Sequence, residues 1–261
     1  MTQAARPNFD YGRIPVGYYD QMLRQGKSGV RRLWHTLKFE RVLDYLPESD
    51  GGSLLDIGCF AGSFLSMVPR HRFERQLGLD ILPEQIAYAT HHYGTPFRSF
   101  KVVPGITDLG DLGDPFDAVT LIEVIEHLRH DEIVGLFEQL ERVIAPGGIL
   151  VITTPNYTSC WPLLEALLNR FGDVSYEEQH ITRFKYFSFE RTLSSIWPPL
   201  LDRYDVEMKT TTHLLSPFLA AASYEIARGL ARAIPHSHWT SPIGNLILAV
   251  LRRKRTNEGK G

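Results

Sequence analysis

Short, wholly apolar runs alternate along this chain with stretches of helical period, and few folds accommodate that rhythm. SLLDIG (53–58), QLGLD (76–80), a weaker run near 100–103, FDAVTLIE (116–123) and ILVITTP (149–155) each have strand length and strand composition. Between them, Ser63–Val68 begins a helix, Pro83 sits in the first turn of a helix running through Ile86, Ala87 and Ala89, and helical spacing extends from Val124 to Ile144. A strand that is apolar on both faces must be covered on both faces. Strands separated by helices therefore predict a parallel sheet sandwiched between helical layers, an α/β doubly wound, Rossmann-like fold.

The flanking regions read differently. Residues 1–28 form an irregular arm in which Phe9, Tyr11, Tyr18 and Tyr19 lie among Pro7, Gly12, Pro15 and Gly17; Val30–Leu46 then has helical spacing and stops at Pro47. Beyond Pro155, Trp161–Phe171 reads as a short amphipathic helix and 173–182 as polar. Residues 187–197 read as a helix with Ser188 as N-cap, 204–214 as a strand, 216–234 as one apolar helix, and NLILAVLRR (245–253) as a final strand. The expected organisation is an N-terminal arm and helix (1–47), a ligand-binding core (48–156), lid helices with the C-terminal part of the same sheet (157–255), and a disordered tail (256–261).

Composition narrows the class. At 261 residues and 43% hydrophobic, the chain can bury a substantial core; a formal charge of −2 gives no electrostatic reason to expect a nucleic-acid partner. The two cysteines, Cys59 and Cys160, are far apart, which predicts a reducing, cytoplasmic setting without disulfides. Neither a secretory signal nor a run long enough to span a bilayer is expected.

The most informative stretch is LLDIGCFAGSFL (54–65). A strand ends at Asp56, a small-residue turn carries Gly58, Ala61 and Gly62, and a helix follows. Ligands of open parallel sheets bind beyond the carboxyl ends of the strands, and glycines leave the backbone approachable there. The second strand ends in Asp80, placed to accept both hydroxyls of a ribose; a cap for the Pro83 helix is the plainer reading. A nicotinamide dehydrogenase would call for GxGxxG, whereas this turn reads GCFAG.

Taken together, LLDIGCFAGSFL, GLD, FDAVTLIEVIEHL and APGGILVITTPN resemble, in order and spacing, the successive motifs of class I S-adenosylmethionine-dependent methyltransferases, best over residues 35–160. The resemblance implies a seven-stranded sheet with its last strand antiparallel. It also implies S-adenosyl-L-methionine as cofactor, with Asp56, Gly58, Cys59, Phe60 and Gly62 around its methionine end. Asp80 and Ile81 would hold the ribose, Ile106, Thr107 and Asp108 would flank the adenine, and Glu123 would complete the site. Phe60 stands where the family usually has a glycine, and Asp108 comes later than the usual adenine-side acid.

Glu123, Glu126 and His127 are three and four apart, which on a helix puts all three on one face. Two carboxylates and an imidazole at a ligand-binding edge can take a proton from an acceptor hydroxyl or hold a divalent cation that acidifies it. The Glu-x-x-Glu-His pattern resembles that of ubiquinone-pathway polyprenyl O-methyltransferases and of small-RNA 3′-terminal 2′-O-methyltransferases, in which a later histidine joins the site; His180 is the candidate here. The resemblance thus implies His127, Glu126 and His180 as catalytic residues, with Glu123, Glu126, His127 and His180 as the ligand set if a metal is used. A Glu-His pair that only caps the helix is the plainer alternative. The expected activity is O-methylation of a small-molecule hydroxyl (saccharide, polyketide or prenyl-type acceptor). The alternatives are metal-dependent RNA 2′-O-methylation and non-catalytic S-adenosylmethionine binding. The apolar faces of 161–171 and 216–234 read as core or lid; the sharper expectation is contact with a lipid-like acceptor or the inner membrane surface.

Overall fold

The computed structural model describes residues 11–25, 29–48, 51–162, 180–214, 216–220, 222–233 and 242–255. Seven strands form one sheet: β1 (Ser53–Ile57), β2 (Arg75–Asp80), β3 (Arg98–Val102), β4 (Phe116–Ile122), β5 (Ile144–Pro155), β6 (Tyr204–Thr212) and β7 (Leu246–Arg253), in the order β3-β2-β1-β4-β5-β7-β6. The first five run parallel, and β7 inserts antiparallel to both β5 and β6. The strand order reverses beside β1, and the carboxyl ends of β1, β2 and β4 open onto the same edge.

Strand periodicity divides the core into two layers. In β1, Leu55 and Ile57 face a cluster with α5 (His130–Val143) and α6 (Phe189–Ile196), while Leu54 faces the other side, against α2 (Gly29–Tyr45) and α3 (Ser63–Met67). All five β1 residues are buried, as a central strand covered on both faces requires.

Four expectations change. The arm contains a helix, α1 (Tyr18–Gln25), launched by Gly17 at φ 69° and by the Tyr18 N–H on the Pro15 carbonyl. The helix expected from Val124 to Ile144 is interrupted: a 3-10 turn at Ile125–His127 gives way to extended Leu128 before α5 starts. Tertiary partners cause the break. The N–H groups of Ile181 and Thr182 take the Glu126 carbonyl, and the Thr182 hydroxyl takes that of Leu128 at 2.6 Å, so neither carbonyl continues the helix. The apolar stretch 216–234 is two helices among the described residues, α8 (Ser216–Ala220) and α9 (Tyr224–Ala233). Ser188 occupies the N-cap position of α6 but makes no side-chain capping bond; a 3-10 turn, Tyr186–Ser188, leads into the helix instead. The short α4 (Pro83–Tyr93) and α7 (Leu200–Arg203) complete the described helices. Residues 163–171 of the expected 161–171 helix, most of the polar stretch 173–182 and the tail 256–261 lie outside the described residues.

α9 buries Ala227 and Ala231 and leaves Ile226 and Leu230 exposed. Its basic residues are not a free fringe, since Arg228 and Arg232 both pair with the buried Glu40 of α2. Among the described residues, no helix is long and apolar enough to cross a membrane.

Candidate active site

The loop after β1 has an unusual backbone. Gly58, Phe60 and Gly62 all have positive φ (79°, 47° and 74°), so Phe60 carries the left-handed conformation that a glycine would adopt without strain. Two bonds hold it. The Phe60 N–H donates to Asp80 Oδ2 at 2.8 Å, and the Phe60 ring meets Tyr19 of α1 edge-on at 5.3 Å. The glycines serve packing as well as access: a Cβ on Gly58 would lie 2.6 Å from Val124, and one on Gly62 2.9 Å from Ala89. Cys59 is buried, its N–H on the Leu79 carbonyl and its thiol pushed up by burial, so it is a packing residue of this loop.

Asp80 braces both sides of the edge. Besides Phe60, it accepts the Leu82 N–H at 3.0 Å. The N-cap position of α4 is Leu82, so Asp80 supports the helix entry from two residues upstream rather than capping it. Burial raises its pKa, against the pull of its backbone donors. Asp56, at the end of β1, is 2% exposed and accepts the Thr120 hydroxyl at 2.7 Å; burial lifts it to about 7. Ile81 is exposed beside Asp80. Ile106 packs against the main core, whereas Thr107 and Asp108 are exposed; Thr107 lies against Gly135 of α5, and Asp108 accepts the Gly110 N–H within its own turn.

Beyond β4 the expected acidic face divides. Glu123 has φ 53°, and its backbone N–H is pinned by the Thr153 carbonyl at 3.0 Å. That turn directs its carboxylate to α2, where Lys38 Nζ pairs with one oxygen and Trp34 Nε1 donates to the other at 3.1 Å. Burial disfavours the charged form, but Lys38, His35 and Trp34 together bring Glu123 down to about 2. The reading of Glu123, Glu126 and His127 as one helical face is therefore corrected: the backbone is not helical at Glu123, and its carboxylate belongs to Lys38.

The other three residues converge. Glu126, His127 and His180 each offer a ligand atom, all within 4.8 Å of one another. Their approach comes from the clamp that broke the helix, because the Ile181 and Thr182 N–H groups on the Glu126 carbonyl carry His180 to the site. His180 is buried, its Nδ1 2.9 Å from the Tyr157 hydroxyl, and its ring lies 5.2 Å from that of His127. Tyr157 follows Asn156, which is fully buried and holds this corner through the Pro242 and Gly244 carbonyls, each at 2.8 Å. Glu126 is 1% exposed, and neither of its oxygens has a hydrogen-bond partner among the described residues. Burial, reinforced by Glu123, pushes it well above the usual carboxylate range. Sequence spacing pointed to none of Trp34, His35, Lys38 and Tyr157. The only trace was that Trp34 and Lys38 are four apart on one predicted helix.

Comparisons with known proteins agree with this geometry. The family described as "Methyltransferase domain" matches residues 30–196. No curated protein sequence matches the chain significantly. Among solved structures, the chain is similar to the putative methyltransferase of Haloferax volcanii determined with the Trm112 methyltransferase activator (TM-score 0.64, 19% identity, 97% of this chain and 99% of that one). It is also similar to the N-methyltransferase NodS of Bradyrhizobium japonicum with S-adenosyl-L-homocysteine (0.55, 18%, 90% and 92%). A third is the small RNA methyltransferase HEN1 (0.59, 19%, 98% of this chain and 27% of that one). At these identities the likenesses establish the fold, and the family match establishes the rest: the chain belongs to the methyltransferase-domain family and is a class I S-adenosylmethionine-dependent methyltransferase.

Proposed function

We propose that this enzyme transfers the methyl group of S-adenosylmethionine to a hydroxyl of a small-molecule acceptor. The supporting observation is the convergence of Glu126, His127 and His180 at the strand edge that carries the Gly58–Gly62 loop. Methyl transfer is an in-line displacement at carbon: the acceptor oxygen–carbon bond forms as the sulfur–carbon bond breaks, and the neutral thioether S-adenosylhomocysteine leaves without help. A hydroxyl, unlike a free amine, must give up its proton to react well, so the protein's task is to orient the oxygen and receive that proton. His127 is half-buried and can reach an acceptor; we assign it as the base. His180, fixed by Tyr157, orients the acceptor beside it.

The donor set also suits a divalent transition cation. One buried carboxylate without hydrogen-bond partners and two imidazoles are the ligands such an ion selects. When bound at Glu126, His127 and His180, it would supply a Lewis acid that lowers the pKa of the acceptor hydroxyl. Manganese(II) titration followed by electron paramagnetic resonance tests this without turnover. Binding by the wild type and its loss in Glu126→Gln is the expected result; no binding by the wild type removes the cation from the scheme.

A small acceptor is favoured over RNA because the net charge is −2, and an RNA terminus calls for clustered phosphate contacts. Methyl-labelled cofactor incubated with phenolic, saccharide and prenyl-quinol acceptors should place label in an alkali-stable methyl ether. Label confined to amines, or to RNA 3′ ends, would overturn the proposal.

A further inference from the structure

Lys38 is 6% exposed, a buried ammonium at the end of a sheet where most neighbouring ionisable groups are acidic. It pairs with Glu123, and its charge also acts on Asp56 and Glu126. Keeping an ion pair out of water is costly unless something at the site needs both charges. The backbone is bent to make the pair: Glu123 adopts a left-handed φ that few non-glycine residues accept, and this turns its carboxylate onto α2. Strain of that kind concentrates where a ligand is gripped.

The pair stands beside the cofactor loop. Glu123 lies two residues beyond Leu121, whose register partner is Ile57, the last residue of β1 before the loop. The next residue, Val124, touches the space a Gly58 side chain would fill. The chemistry of the cofactor then fixes its direction. Its ribose calls for a carboxylate acceptor, which Asp80 provides at the tip of β2. Its reactive sulfur must face His127, beyond β4. The amino-acid tail, attached to that sulfur, is thereby carried past β1 toward β4 and α2, where it meets Lys38 and Glu123. The tail is itself a zwitterion, one carboxylate and one ammonium on a single carbon.

We propose that Lys38 and Glu123 form the recognition site for the amino-acid tail of S-adenosylmethionine, Lys38 taking the carboxylate and Glu123 the ammonium. The pair seen here is the self-neutralised form, with each charge standing in for the ligand group of the same sign. Trp34, by holding the second Glu123 oxygen, positions that carboxylate. The assignment rests on the cofactor reading and adds to it a residue from outside the sheet.

Truncating the ligand tests it. Calorimetric affinities of wild type, Lys38→Met, Lys38→Arg and Glu123→Gln are compared for S-adenosylhomocysteine, its decarboxylated analogue, and methylthioadenosine, which lacks the amino-acid tail. Lys38→Met should weaken S-adenosylhomocysteine about ten- to hundredfold, leave methylthioadenosine unchanged, and abolish the wild-type preference for the carboxylated ligand. Lys38→Arg should restore part of that preference, and Glu123→Gln should weaken only the ligands that carry the amine. Equal weakening of all three ligands, or no change in any, would show that the pair is structural. A wild type that binds S-adenosylhomocysteine no better than methylthioadenosine overturns the assignment while leaving the cofactor site standing. A wild type that binds neither overturns both. If Lys38→Met does not fold, the wild-type ligand series and Glu123→Gln decide the question.

Discussion

Asp80 and His127 illustrate how two polar side chains at one edge can carry separable tasks. Asp80 accepts backbone N–H groups from Phe60 and Leu82, so it shapes the loop that would receive the cofactor as well as offering an acceptor to it. Asp80→Ala is expected to weaken S-adenosylhomocysteine binding about a hundredfold, with Asp80→Asn between it and the wild type because the amide keeps one acceptor. Calorimetry measures both. His127 supports neither the loop nor a strand end. His127→Ala should bind S-adenosylhomocysteine as the wild type does while turnover falls about 10²- to 10⁴-fold. Equal losses of binding and turnover would contradict its role as base. The motif spacing singled out both residues, but nothing in it showed that Glu123 would be claimed by Lys38; that depended on the backbone turn at 123 and on where α2 packs.

At the scale of elements, α1 is fastened across the cofactor loop by one buried carboxylate. Asp20, 2% exposed, accepts hydroxyls from Ser63 at 2.9 Å, Tyr88 at 3.1 Å and Tyr93 at 2.5 Å, and pairs with Arg24. An eight-residue helix has little intrinsic stability, so this anchorage decides whether it forms. Asp20→Ala should cost about 1–3 kcal/mol and raise hydrogen exchange across residues 18–25 selectively, read by urea denaturation and mass spectrometry. Unchanged exchange there would show that α1 is held by apolar contact alone. Similarly, Thr182→Ala removes the bond to the Leu128 carbonyl that helps to separate the turn at 125–127 from α5. It should loosen His180 and lower turnover more than cofactor binding.

For the molecule as a whole, buried ionisable groups oppose one another with pH. His35 is held near 3, chiefly by burial and then by Lys38, below its ordinary 6.5, so its contribution is complete above 6.5 and fades as pH falls toward 3. Glu123, near 2 rather than 4.5, loses its contribution as pH falls from 4.5 to 2. Asp56 behaves oppositely: raised from 3.8 to about 7 by burial, it stabilises most below 3.8 and loses that contribution as pH rises through 7. Between 4 and 6.5 the slopes of His35 and Asp56 offset each other, giving a broad plateau. Asp56→Asn should replace the plateau with stability that rises with pH over that range, and His35→Asn should replace it with stability that falls. Urea midpoints measured from pH 4 to 7.5 check both signs.

The architecture was legible in the chain itself because it depends on periodicity. Continuous apolar runs such as FDAVTLI can satisfy themselves only inside a two-sided sheet, and the glycine turn after Asp56 marks the strand whose tip opens to a ligand. The final strand was also legible as a strand, although its antiparallel insertion between β5 and β6 came from the family resemblance and not from its own residues. Only the folded structure decided the site's inner membership. Glu123 left the acidic group, His180 arrived through two backbone bonds to Glu126, and Lys38 and Trp34 entered from a helix about 85 residues away in sequence. Local pattern reports which face of an element is buried. Which distant side chain meets that face is set by packing, and packing alone placed a buried cation against the carboxylate that sequence spacing had given to its neighbours.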